Sequence, residues 1–467
     1  MRSRIRSSLA FALAATALAV AATAAPAFAQ GKAVEPGAAT AEGFLPSSAC
    51  GCHGDLVAQW QGSMHAKAIV DPVFLVKVKE AEEQAGEEVA KFCKRCHTPI
   101  GNMLSDFNGT GDVAKEGVTC MFCHQVTGLN EGEPGNTSHI VEANLTRRAQ
   151  IKDPTAPHPA TYSELHESAE FCGGCHNVNH PTNGTHLEAS YTEWEEGPYA
   201  EKGVVCQDCH MSEGPGVVGP SKGVAGAGGP ERDNIYAMTF IGANVAQGDA
   251  EAATALLKSA AKVEMQVADI VAAGETASMT VTITNSGAGH YLPTGLTEVR
   301  QMWLAVWAEG DDGTRVDLGE HRFGTELKDE KGEHPTEVWA ATDIATDDRI
   351  APLESVTDEF DLAMPANAER MTVKAALNYK SMPDDLASAA GVQNPVTEMA
   401  AATKDVFATQ AAMDAFAADA SKVPAEEPAE EPEGGSGSVL PIAAIGIVAA
   451  IAIAVAFIVK GKKKTGE

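Results

Sequence analysis

All ten cysteines of this 467-residue chain lie between Cys50 and Cys209, in five close pairs, and each pair is followed at once by a histidine. The five are Cys50-Gly51-Cys52-His53, Cys93-Lys94-Arg95-Cys96-His97, Cys120-Met121-Phe122-Cys123-His124, Cys172-Gly173-Gly174-Cys175-His176 and Cys206-Gln207-Asp208-Cys209-His210. C-x-x-C-H is the pattern of covalent haem attachment. Two thiols one helical turn apart add to the two vinyl groups, and the next imidazole becomes the proximal ligand of the iron. The cofactor expected is therefore haem c, five per chain, with His53, His97, His124, His176 and His210 as proximal ligands. Disulfides within the pairs would account for the cysteines but not for the histidines. Zinc would call for regularly spaced half-sites, and the gaps between these pairs are irregular. The first motif is one residue short. Either both thioethers form on a distorted loop, or Cys52 alone bonds the haem with Ala49 where the first cysteine would stand.

A second argument rests on what the stretch lacks. From Cys50 to His210 there are roughly 30 residues per haem, rich in Gly, Pro and short polar runs, and such a segment struggles to bury a core of its own. Porphyrins would supply the missing apolar area, so without haem this region should not fold.

The ends of the chain suggest a compartment. Met1 to Ala29 has a basic start, an Ala/Leu-rich run and Ala27-Phe28-Ala29, the pattern of a secretory signal peptide. Residues 424–438 read as a Pro/Glu and Gly/Ser linker, 439–459 as an uncharged transmembrane helix, and 460–467 as a Lys-rich cytoplasmic tail. The expected protein is thus held at the cell membrane by a single pass, its body on the extracytoplasmic side. With 34 Lys+Arg against 64 Asp+Glu, a formal charge of −30 argues against nucleic acid as a partner.

Between the ends, residues 47–262 form the expected haem-packed, mostly α and loop domain, and residues 30–46 read as disordered. Alternating apolar residues from Val263 predict strands at Val263–Val267, Ser278–Thr284, Gln301–Trp307, Ser355–Leu362 and Met371–Tyr379, hence a small β-sandwich over 263–382. Residues 383–423 read as helical. Asp71-Pro72 opens a helix running to Phe92, and Asp249 to Ala261 reads as another.

The first motif is followed by Trp60-Gln61-Gly62-Ser63-Met64-His65-Ala66, the third is led by Gly117-Val118-Thr119, and Tyr191-Thr192-Glu193-Trp194 precedes the fifth. In these features the chain resembles the multihaem cytochromes of the cytochrome c-554 and hydroxylamine-oxidoreductase-like group, over roughly residues 47 to 300. The resemblance implies closely packed haems serving electron transfer. It also implies distal ligands: His65 from the S-x-H-A box, His290 from the loop Asn285 to Gly295, and His139 after the third motif. Met238 stands where relatives often carry a histidine, so it is either a sixth ligand or ordinary packing. The other spare histidines are His158, His166, His180, His186, His321 and His334.

The favoured function is electron transfer between a quinol-oxidising membrane partner and an exported reductase or cytochrome. The alternative is reduction of a small nitrogen or sulfur compound at a five-coordinate haem, for which the resemblance points to the Cys93/Cys96/His97 site. The reading leans away from an enzyme.

Overall fold

Alternation of buried and exposed residues along Gln301–Gly310 sets the architecture of the second half of the chain. Met302, Leu304, Val306 and Ala308 are all but inaccessible, while the residues between them are half-buried. This is the two-residue period of a strand with one face on a core. Gln301–Gly310 lies between Arg315–Phe323 and Arg370–Lys380, and Thr397–Phe407 completes a four-stranded antiparallel sheet. Opposite it, Ala261–Gln266, Thr276–Asn285 and Ser355–Ala363 form a three-stranded antiparallel sheet. Val281, Ile283 and Leu362 from the second sheet meet Leu304, Val373, Ala375, Leu377 and Val406 from the first in one apolar core.

The computed structural model describes residues 31–420, and the described residues up to Met413 pack as one unit. The five strands expected from alternation are present. Two expectations at the edges are corrected. Residues 383–423 are not helical throughout: Asp384–Ala390 is a helix, Thr397–Phe407 is a strand and Gln410–Ala420 is again a helix. The Ala-rich strand Thr397–Phe407 is held by its register with Arg370–Lys380, Met371 opposite Val406 and Ala375 opposite Ala402, so tertiary pairing overrides helix propensity. Residues 31–46 are ordered: Lys32–Ala33 pairs with His139–Val141, and Val34 and Phe44 are buried.

The expected fold class needs correction in two further respects. Short strands run through the haem-binding half as well, from Val126–Leu129 paired with His139–Val141 to the hairpin Ser221–Val224 with Glu231–Ile235. That half is therefore mixed rather than mostly α. Among the described residues no helix is long and apolar enough to cross a membrane. The longest of them, Pro72–Ala85, has 14 residues and carries Lys77, Lys79, Glu80, Glu82 and Glu83, whereas a span needs about 20 apolar residues. The segment 439–459 lies outside the described residues, as do the signal (1–29), the linker (424–438) and the Lys-rich tail (460–467). Attachment to a membrane through a helix has no support in the described fold.

In the haem-binding half, helix ends follow the sequence closely. The Asp71 carboxylate accepts from the Val73 amide at 2.9 Å and caps Pro72–Ala85. Gly86, at φ +95°, ends that helix, and Glu87–His97 begins afresh and delivers the second motif. Thr119 caps Cys120–Gln125 by accepting from the Phe122 amide at 3.1 Å. A small cluster beneath the third motif, including Phe44, Ile100, Met103, Met121, Phe122 and Val126, is the apolar core of this half.

Candidate haem sites

Each motif histidine is held by one nitrogen. Nδ1 donates to the Ala225 carbonyl at 2.5 Å from His53, to Ala68 at 2.9 Å from His97, to Arg148 at 2.7 Å from His124 and to Ile241 at 2.6 Å from His210. His176 differs, since its Nδ1 meets the Glu188 carboxylate at 3.0 Å. In all five the other nitrogen, Nε2, is left for a metal. A partner on Nδ1 fixes the tautomer and orientation in this way at metal-bound histidines.

Four of these imidazoles face a second one across a constant gap. Ring centres are 6.2 Å apart for His53 and His158, 6.2 Å for His65 and His176, 6.0 Å for His124 and His166, and 6.2 Å for His210 and His290. Two metal–imidazole bonds of about 2 Å each, with about 1 Å from each nitrogen to its ring centre, span about 6 Å. Each gap is one metal ion wide, so the residues fit haem iron held from both sides. At His65 and His166 burial favours the uncharged, coordinating form and holds the ring down to about 3, and at His210 down to about 4. Among the described residues no group of three or more His, Cys, Asp or Glu converges as a metal site of the zinc kind, and the ten cysteines are unpaired.

The remaining motif histidine, His97, has a different neighbour. Phe74 stacks on His97 at 3.6 Å between ring centres and 8° between planes. Among the described residues no second imidazole faces His97 at the spacing of the other four.

The motif neighbourhoods interlock. The Trp60 indole donates to the Val118 carbonyl at 2.8 Å, and the Val118 amide donates to the His65 carbonyl at 2.9 Å. The W-x-x-S-x-H box and the glycine-led approach to the third motif are thus one unit. Gly117, at φ +70°, is required there, because a Cβ would sit 2.5 Å from the His65 carbonyl oxygen. Thiols of different motifs also come within hydrogen-bonding reach: Cys50 with Cys120, Cys96 with Cys175, and Cys172 with Cys206.

His290 comes from the β-sandwich. Asn285, fully buried at the end of its strand, donates to the His290 carbonyl at 2.9 Å and the Ile350 carbonyl at 3.0 Å, and shapes the loop. Glu193, from the Tyr191-to-Trp194 box, accepts from the Tyr291 amide at 3.1 Å and the Thr294 hydroxyl at 2.7 Å, and pairs with Arg349. That clamp seats His290 opposite His210.

Of the expected distal residues, His65 faces His176 and His290 faces His210. His139 does not face a motif histidine. Its Nε2 donates to the Phe171 carbonyl at 2.8 Å, its ring lies between Phe122 and Phe171, and it rests on Gly174, where a Cβ would come within 2.3 Å. The Cys-Gly-Gly-Cys spacing is explained on both sides, since a Cβ on Gly173 would meet Tyr191 at 2.5 Å. Met238 is half-buried, and its amide donates to the Gln59 side chain at 2.8 Å. In its segment it is Phe240 that touches His65, at 4.5 Å, and Ile241 whose carbonyl orients His210. His158 and His166 were missed as partners because neither sits in a recognisable box. His166 Nε2 donates to the Cys123 carbonyl at 2.9 Å, the bond it would exchange for a metal.

Residues 49–125 match the family described as cytochrome c554 and c-prime. Among solved structures, the chain is similar to a penta-heme cytochrome c552 from Thermochromatium tepidum, with 21% identity, a TM-score of 0.59, and coverage of 78% of this chain and 99% of that one. Likeness to the CARDB domain of a Pyrococcus furiosus protein, at 16% identity over 32% of this chain and 85% of that one, has a TM-score of 0.18 and carries no argument. No curated protein matches. Five attachment motifs, five oriented imidazoles, the family match and the likeness to the penta-heme cytochrome agree on a multihaem c-type cytochrome with five haem c groups.

Proposed function

We propose that the protein carries electrons along a chain of closely spaced haems, four of them held between paired histidines. The proposed pairs are His53/His158, His176/His65, His124/His166 and His210/His290. The observation that carries this reading is the metal-wide gap repeated four times. Haem, when attached, supplies a one-electron couple at each iron. The eight paired histidines would hold the four irons from both sides, and the polypeptide orients the motif imidazoles through their Nδ1 hydrogen bonds. The neighbouring thiols suggest the order of sites, the first motif beside the third, and the fourth beside the second and the fifth. Cys52 is exposed where the other nine cysteines are half-buried, which favours the first site as the port to a partner. The proposed setting is outside the cytoplasm, with a quinol-linked donor and an exported reductase or cytochrome as acceptor. The acidic surface would favour partners with basic docking faces.

A second reading, reduction of a small nitrogen or sulfur compound, is favoured by one observation. Among the described residues His97 faces no second imidazole, which would leave the other side of its iron to an exogenous ligand. Electron paramagnetic resonance and absorption spectra of the holoprotein, with and without cyanide or nitric oxide, test both readings. Four low-spin haems indifferent to either ligand are expected, with any response confined to the Cys93/Cys96/His97 haem. Ligand binding at several haems would overturn the carrier reading. Five inert low-spin haems would overturn the catalytic one.

A further inference from the structure

Four of the five motif histidines donate Nδ1–H to a neutral backbone carbonyl, and His176 alone donates to a carboxylate. A carbonyl oxygen holds the ring in place. A carboxylate does more, because it draws the Nδ1 proton and leaves Nε2 a stronger electron donor. Its full negative charge also favours the more positive ferric state over the ferrous one, and burial magnifies that preference. The Glu188 side chain is only 17% exposed.

Arg300 lies within electrostatic range of Glu188 and offsets part of its charge, but its guanidinium donates to the Ser381 carbonyl at 2.7 Å, which leaves the Glu188 carboxylate hydrogen-bonded to His176. The fold also prepares the pair. Glu188 ends the short strand His186–Glu188, which pairs with Val178–Asn179 just after His176, with Val178 opposite Glu188. The motif and its carboxylate therefore belong to one hairpin and move together.

Resting on the His65/His176 pairing proposed above, we infer that Glu188 is a positioning residue that makes this haem the lowest-potential member of the five. The His176 thiol neighbours, Cys172 and Cys175, reach Cys206 and Cys96 of two other motifs, so the low-potential site would sit at the junction of the chain. Electrons arriving from a donor would cross an uphill step there, and the fully reduced protein would fill this site last.

The test is a spectroelectrochemical titration of the five-haem, full-length protein with Glu188→Gln, an uncharged acceptor of the same shape, and with Glu188→Asp, which keeps the charge. His65→Leu is used to mark which component belongs to this site, through its change from low-spin to high-spin. Glu188→Gln is expected to move the lowest of the five midpoints upward, leaving the low-spin spectrum and the haem count unchanged. Glu188→Asp should restore part of the difference. Five unmoved midpoints, movement of a component other than the one His65→Leu marks, or an equal shift in both Glu188 variants would overturn the proposal. A low-spin spectrum unchanged by His65→Leu would instead refute the pairing itself.

Discussion

Glu298 is the buried carboxyl whose behaviour with pH follows most directly from the structure. Neither carboxyl oxygen has accessible surface or a hydrogen-bond partner outside the residue itself. Burial, reinforced by the charges of Glu188 and Glu337, pushes the group up to about 7 from its usual 4.5, and its own backbone amide and Arg300 only partly counter this. Below pH 4.5 the carboxyl is protonated in folded and unfolded chains alike, and it costs nothing. As pH rises towards 7 the unfolded chain loses the proton freely while the folded one retains it, so the native state is progressively disfavoured. Above 7 the full difference applies, on the order of 3 kcal/mol at about 1.4 kcal/mol per pH unit. Glu298→Gln removes the titration. The stability of the variant relative to wild type should be flat below pH 4.5, rise through the window from 4.5 to 7, and level off about 3 kcal/mol higher. Denaturant unfolding of both holoproteins, followed by tryptophan fluorescence from pH 4 to 8, measures that difference. Parallel curves across the whole range would refute the reasoning.

Two other substitutions separate ligands from struts. His166→Leu should convert one haem to high-spin, whereas His139→Leu should leave all spectra unchanged and lower stability by about 2–5 kcal/mol, as loss of a buried, hydrogen-bonded ring does. The reverse spectral result would restore His139 as the ligand. Gly174→Ala, whose methyl would press on the His139 ring, should destabilise by about 1–3 kcal/mol in a thermal melt with the haem count intact.

Much of the site could be read from the sequence because haem attachment is written locally: thiols and proximal imidazole occupy five consecutive residues. The sandwich strands were equally legible, since Met302, Leu304, Val306 and Ala308 alternate with half-buried neighbours. What escaped was set at long range. His158 and His166 acquire partners only when distant loops close, and no local pattern distinguishes them from surface histidines. His139 was misleading for the opposite reason, because a buried histidine near a motif serves equally well as a wedge between Phe122 and Phe171. Thr397–Phe407 became a strand only because Arg370–Lys380 offered it an edge, which an Ala-rich composition does not announce.

The delivery of His290 by the sandwich loop ties maturation of the fifth site to the order in which the polypeptide is made. The thiols and imidazole of that site are synthesised well before the residue that completes it, and Asn285, Glu193 and Arg349 can seat the latecomer only after both sheets have closed. A chain that stalls at that stage would bear an iron with one open coordination position. Carbon monoxide binding beyond that at the Cys93/Cys96/His97 haem would therefore report unfinished assembly, and the loss of that extra binding would mark the moment when the second half of the molecule locks onto the first.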